Sequence, residues 1–165
     1  MVPARMSLYD WLLFFHITGA FLLIGGVVIA GLLNIAAIAV DRRPSQVAAL
    51  YGLIRFAVPL IGAGMLLTLA IGLWLVHESP WGYGYGDTWV IVAIVLWLIA
   101  GWLGGMDGKY QRRTGELAAR LAADGDARSE ELDARLRNVR ALAISYGSGL
   151  AAFAVLGIMI WKPGA

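Results

Sequence analysis

The sequence predicts an all-α fold: a four-transmembrane-helix bundle, both termini extracytoplasmic, with a cytoplasmic helical hairpin extending helices 3 and 4. Three observations predict it. The composition is 60% hydrophobic and only 15% charged, with a mean hydropathy of +0.74, which does not suit a soluble globule. Four runs, 11–40, 56–77, 88–106 and 141–161, contain no Asp, Glu, Lys or Arg. Each can cross a bilayer, which takes about 20 apolar residues. The basic residues also fall on one side of the predicted membrane. The 165 residues fit one integral membrane domain, with spans at about 8–40, 56–77, 88–107 and 141–161 and the hairpin over 108–140.

The first run, Trp11 to Val40, is longer than a crossing requires and is expected to tilt or to enter the interface. A signal peptide fits it poorly: the apolar stretch far exceeds the usual h-region, and only Arg5 precedes it. The first connection holds Pro44-Ser45, a turn followed by a helix start. In the second span Pro59 lies one turn in, where a kink is tolerated. The second connection, HESPWGYGYGDT from His77 to Thr88, reads as a loop without regular helix.

The third connection carries acid-to-base pairs at i,i+4: Glu116 with Arg120, Glu131 with Arg135 and Asp133 with Arg137. Leu132, Leu136 and Val139 repeat at helical spacing, and Ala123-Asp124-Gly125-Asp126 signals a turn. Eight basic residues against seven acidic ones from Asp107 to Arg140 read as a solvated surface. A nucleic-acid partner would require a basic excess, so none is expected.

Orientation follows from Lys and Arg. The first and third connections carry eleven of them, against two, Arg5 and Lys162, on the other side. The positive-inside rule then puts both termini outside. Tyr9, Trp11, Trp74, Trp81, Tyr83, Tyr85, Trp89 and Trp161 fall near the outer interface, where amphipathic rings settle. Arg outnumbers Lys 11 to 2 amid abundant Ala and Gly, as in high-GC bacterial genomes. The expected location is a bacterial inner membrane, crossed several times. The lipid bilayer is the expected partner, alongside a second copy or another membrane subunit.

Small residues recur at four-residue spacing: Gly26, Ala30 and Asn34; Gly64, Thr68 and Gly72; Gly101 and Gly105; Ser145 and Gly149. Such stripes let transmembrane helices pack closely.

His16 is the leading site residue, because an ionisable group inside a span faces a partner, a cofactor or a cavity. At 100° per residue it shares a helix face with Gly19, Leu23, Ala30 and Asn34. It can hydrogen-bond across helices to Thr18, Ser145, Tyr146 or a backbone carbonyl. It can ligate haem or a metal through neutral imidazole. Proton relay is the weakest reading, because the charge-free runs contain no carboxylate. His77, beside Glu78 at the outer interface, is a solvated residue or a second ligand paired with His16. Arg55, near the cytoplasmic face, snorkels and pairs with a residue such as Asp41, or clamps an anion. Asn34 is a polar intramembrane residue able to bond Arg55 or another helix. Met65 and Met159 are soft-ligand candidates that more often serve packing. No cysteine, HExxH or nucleotide-binding loop is present.

FFHITGAFLLIGG at 14–26, a histidine followed after eight residues by Gly25-Gly26, resembles the first helix of a broad bacterial group. That group includes the copper-resistance D membrane domain, HemJ-type protoporphyrinogen oxidase and an uncharacterised family of predicted four-helix integral membrane proteins. The last is the most similar, with Arg55, LTLAIGLWL at 67–75 and Trp89 adding to the likeness over about residues 8–112. Many members have Trp where this chain has Leu23. HemJ-type enzymes pair the histidine with an intramembrane lysine, and no span here contains one. The resemblance implies His16 as a b-type haem ligand, in an outer-leaflet pocket. A cofactor-free accessory protein and a small metal or solute permease are the alternatives.

Overall fold

The computed structural model describes residues 6–39 and 43–164. It is all-helical among the described residues: α1 (Leu8–Ala39), α2 (Pro44–His77), α3 (Thr88–Ala123), the short α4 (Glu130–Leu136) and α5 (Val139–Trp161). Four helices are long and apolar enough to cross a membrane, the last counted through α4 and α5.

The helices overrun their charge-free cores. Pro44 opens α2, where its missing N–H and fixed φ suit a first helical turn. At 36 residues, α3 is about 54 Å long against a hydrocarbon core of about 30 Å. The chain turns back after Ala123, but the return arm is not one helix. It breaks at Arg137–Asn138, and Asn138 accepts from the Ala141 N–H at 3.0 Å to cap α5. Ser129 likewise caps α4. The break turns Val139 out to 78% exposure, while Leu132 and Leu136 are buried.

Two tight pairs make the bundle. α1 lies along α2, α3 lies along α5, and α2 against α3 joins them. α1 and α5 touch only lightly, so this flank is the open one. Glycines set the α1–α2 distance. A Cβ on Gly26 would lie 2.6 Å from Ile61 Cγ1, and one on Gly64 would collide with the Leu23 backbone. The buried positions of α1 are Leu12, Gly19, Gly26, Asn34 and Ala37. Not every small residue serves this purpose: Gly105 meets nothing within 4 Å.

The ends of the bundle differ. At the basic end Ala37, Val47, Ala118, Leu132 and Leu136 form a closed apolar core. The segment read as a solvated surface therefore also packs: α4 lies on α3 and adds Leu132 and Leu136 to a core shared with α1 and α2. At the other end Val76, Trp89 and Val90 form a smaller core. There Lys162 Nζ lies 4.7 Å from the Tyr83 ring centroid, 5.5 Å from that of Trp89 and 5.7 Å from that of Trp81. Between the ends, Phe21, Leu66, Trp102 and Leu150 each expose two thirds or more of their surface. A belt of exposed large apolar side chains is what lipid, not water, accommodates.

Candidate functional site

His16 is turned toward α2. A Cβ placed on Gly72 would lie 2.9 Å from its Cε1 and 3.2 Å from its Nδ1. Only glycine leaves room for the ring there. Nδ1 is buried and makes no hydrogen bond, although the Thr68 backbone is within its electrostatic reach. Nδ1 thus looks at the α2 backbone and not into a cavity.

Asn34 shares that helix face but lies 18 residues on, about 27 Å along the axis. It is buried, and its Oδ1 accepts from the Tyr51 hydroxyl of α2 at 2.9 Å. His16 and Asn34 thus both meet α2, at two depths, while Ala30 and Asn34 of the same face also border the space between α1 and α5.

His77 ends α2 and is exposed, five residues beyond Gly72. Arg55 is exposed, with its guanidinium 4.8 Å from the Phe56 ring centroid. Neither joins His16 in a common site. Asp41, the suggested partner of Arg55, lies outside the described residues. Met65 packs its terminal methyl against Gly101, and Met159 packs on the core around Trp89. Among the described residues no three His, Cys, Asp or Glu side chains come together to hold a metal ion.

The larger described cavity lies elsewhere. About 550 Å³ in volume, it sits mainly between α1 and α5. Val28, Tyr146, Leu150 and Phe153 line it and are themselves exposed, so it opens on the flank of the bundle. Its inner end is polar: Asn34, Asp107, Gln111 and Ser145. Gln111 Nε2 donates to Asp107 Oδ2 at 2.8 Å, and the Ser145 hydroxyl is within hydrogen-bonding reach of the same carboxyl. A second cavity of about 270 Å³ is lined by Asp107 again, with Tyr110, Asn138 and Arg140. His16 lines neither.

Asp107 is the residue that sequence reasoning passed over. It stands as the first charge after a charge-free run and so looks like the start of a connection. Yet α3 continues through it, and Asp107, Gln111 and Thr114 recur at helical spacing as a polar stripe. Gln111 and Thr114 are buried. That stripe was the available signal.

Four long apolar helices, a lipid-adapted surface and a side-opening cleft define an integral membrane protein. Residues 10–163 match a family described as "Predicted integral membrane protein (DUF2269)", and the chain belongs to that family. No curated protein and no solved structure matches.

Proposed function

We propose that the protein binds a small amphiphile in the α1–α5 cleft, from the bilayer side. One observation carries this reading: apart from Tyr146 the exposed lining of the cleft is apolar, while Asn34, Asp107, Gln111 and Ser145 supply polar groups to the same cleft. Its volume falls within the range of roughly 300–1,000 Å³ usual for small-molecule sites. A bacterial inner membrane fits the composition, with the basic end cytoplasmic by the positive-inside rule. The polar end of the cleft is then the deeper one as seen from outside. Counting from Thr88, Asp107 is about 28 Å along α3, near the far edge of the hydrocarbon core.

Haem at His16 is less well supported. Neither described cavity reaches the ring, and His77 is exposed and does not join it. Nδ1 faces Gly72, which leaves Nε2 as the nitrogen a haem iron would use. A macrocycle needs open space in front of Nε2, and neither described cavity provides it. We read His16 as a ring fitted against Gly72 that fixes α1 on α2. Haem added to the purified protein is expected to give no Soret band that His16→Ala removes; a band lost in that variant would restore the haem reading.

The cleft is tested by photolabelling in phosphatidylcholine nanodiscs with a single-chain alcohol bearing a diazirine. Labelling should concentrate on Val28, Leu150 and Phe153 and be competed by unlabelled dodecanol. Diffuse, uncompeted labelling that includes Phe21, Leu66 and Trp102 would overturn the reading.

A further inference from the structure

We propose that the occupant of this cleft carries a protonated amine head and a single apolar chain, and that Asp107 is the carboxylate that receives the amine. This rests on the cleft being a ligand site and adds the chemistry of the ligand. Charge decides the class: Asp107 is the one charged side chain among the residues lining the larger cavity. A carboxylate offers about four lone-pair sites, and an ammonium is a compact donor of three hydrogens. Gln111 takes one site on Oδ2, and Ser145 lines the same cleft. The Gln111 contact orients the carboxyl and leaves acceptor capacity for a ligand. Beside a low-dielectric wall both the attraction for a cation and the repulsion of an anionic head are stronger than in water; desolvation of the two charges offsets part of the attraction but adds to the exclusion of the anion.

A second observation limits where the amine stops. Asp107 lines both the cleft and the smaller recess, whose lining includes Arg140. A cation passing from Asp107 into that recess would share it with the Arg140 guanidinium. The head group is therefore held at Asp107.

An aminophospholipid of the bilayer presents the same ammonium, but with an adjacent phosphate. The cleft lining contains no Lys or Arg to take that phosphate. We therefore assign the site to a single-chain amine and not to a lipid head group.

Competition against the same photolabel tests the assignment. In wild-type protein dodecylammonium should displace the probe about tenfold more effectively than dodecanol, the size expected of a charge-assisted hydrogen bond. Dodecyl sulfate should be the weakest of the three. Asp107→Asn should bring dodecylammonium and dodecanol to within about twofold, while Asp107→Glu should retain the gap. Replacing part of the phosphatidylcholine by phosphatidylethanolamine should leave dodecylammonium competition unchanged; competition by that lipid would overturn the single-chain assignment. Equal displacement by dodecylammonium and dodecanol in wild-type protein would overturn the amine assignment and leave the cleft reading standing. Diffuse labelling would instead remove the cleft reading itself. A gap that persists in folded Asp107→Asn would exclude Asp107 as the counter-ion. If that variant does not fold, the order of the three competitors on wild-type protein still decides the class.

Discussion

Two glycines separate a soft contact from a hard one. At Gly72 an added Cβ meets the outer edge of the His16 ring; at Gly64 it meets the Leu23 backbone. A side chain can swing aside, whereas two packed helix backbones cannot move without separating. Gly64→Ala is therefore expected to cost about 1–3 kcal/mol, in the range of overpacking. Gly72→Ala should cost less, and His16→Ala should relieve much of that cost. Thermal unfolding of the two single variants and the double variant in detergent would show the coupling. Additivity of the His16 and Gly72 substitutions would mean that the ring is not fitted to the glycine. These contacts also show what the sequence could and could not convey about single residues. His16 was conspicuous because its run contains no other ionisable group. Its surroundings were not visible, because a helical wheel reports a face and not the neighbour that the face meets. Asp107 was hidden for the opposite reason: charged residues follow it closely, so its inward direction shows only in the spacing to Gln111 and Thr114.

At the scale of elements, hydropathy located every crossing because the bilayer imposes a length that composition must satisfy. It could not mark where helices end, since a helix leaving the membrane stays a helix while its backbone bonds persist. That is why α2 begins at Pro44 and α3 runs to Ala123. The return arm is the informative case. Leu132, Leu136 and Val139 look alike as a periodic pattern, but the cap at Asn138 restarts the helix and separates Val139 from the other two. Leu132 is 1% exposed in the basic-end core, against 78% for Val139. Leu132→Ala is expected to cost about 2–5 kcal/mol as a core truncation. Val139→Ala should stay within about 0.5 kcal/mol, the usual range for surface positions. Chemical unfolding in mild detergent distinguishes them. Equal small effects would mean that α4 lies loosely on the bundle and that the core at this end does not depend on it.

Across the whole molecule, α1 and α2 pack closely in the middle while α1 and α5 meet only lightly, so the ends matter to how the two helix pairs are held together. At the basic end a single carboxylate links distant parts of the chain. Asp126 adopts φ 57°, in the turn after α3. Its Oδ1 accepts from the Ser45 N–H and its Oδ2 from the Ser45 hydroxyl, each at 2.7 Å. The first turn of α2 is thus capped from 81 residues away, with a negative charge at the positive end of the helix. The Ser45 donors, with a smaller contribution from the Arg43 charge, hold the Asp126 carboxyl below its ordinary value. A folded-state value below the unfolded one means that the contact stabilises while the group is ionised. Its contribution is complete above the ordinary carboxylate value, about 4, and is lost as the pH falls through the lower folded value. Asp126→Asn tests the charge while keeping a residue that tolerates the left-handed region. Amide exchange at Ser45, Gln46 and Val47, measured near neutral pH, should speed up in that variant. Exchange in the middle of α2, around Gly64, should not change. Acidification of the wild-type protein below about pH 4 should loosen the same three amides, once the intrinsic pH dependence of exchange is removed. Unchanged protection at Ser45 in Asp126→Asn would show that the backbone turn alone holds the two segments together.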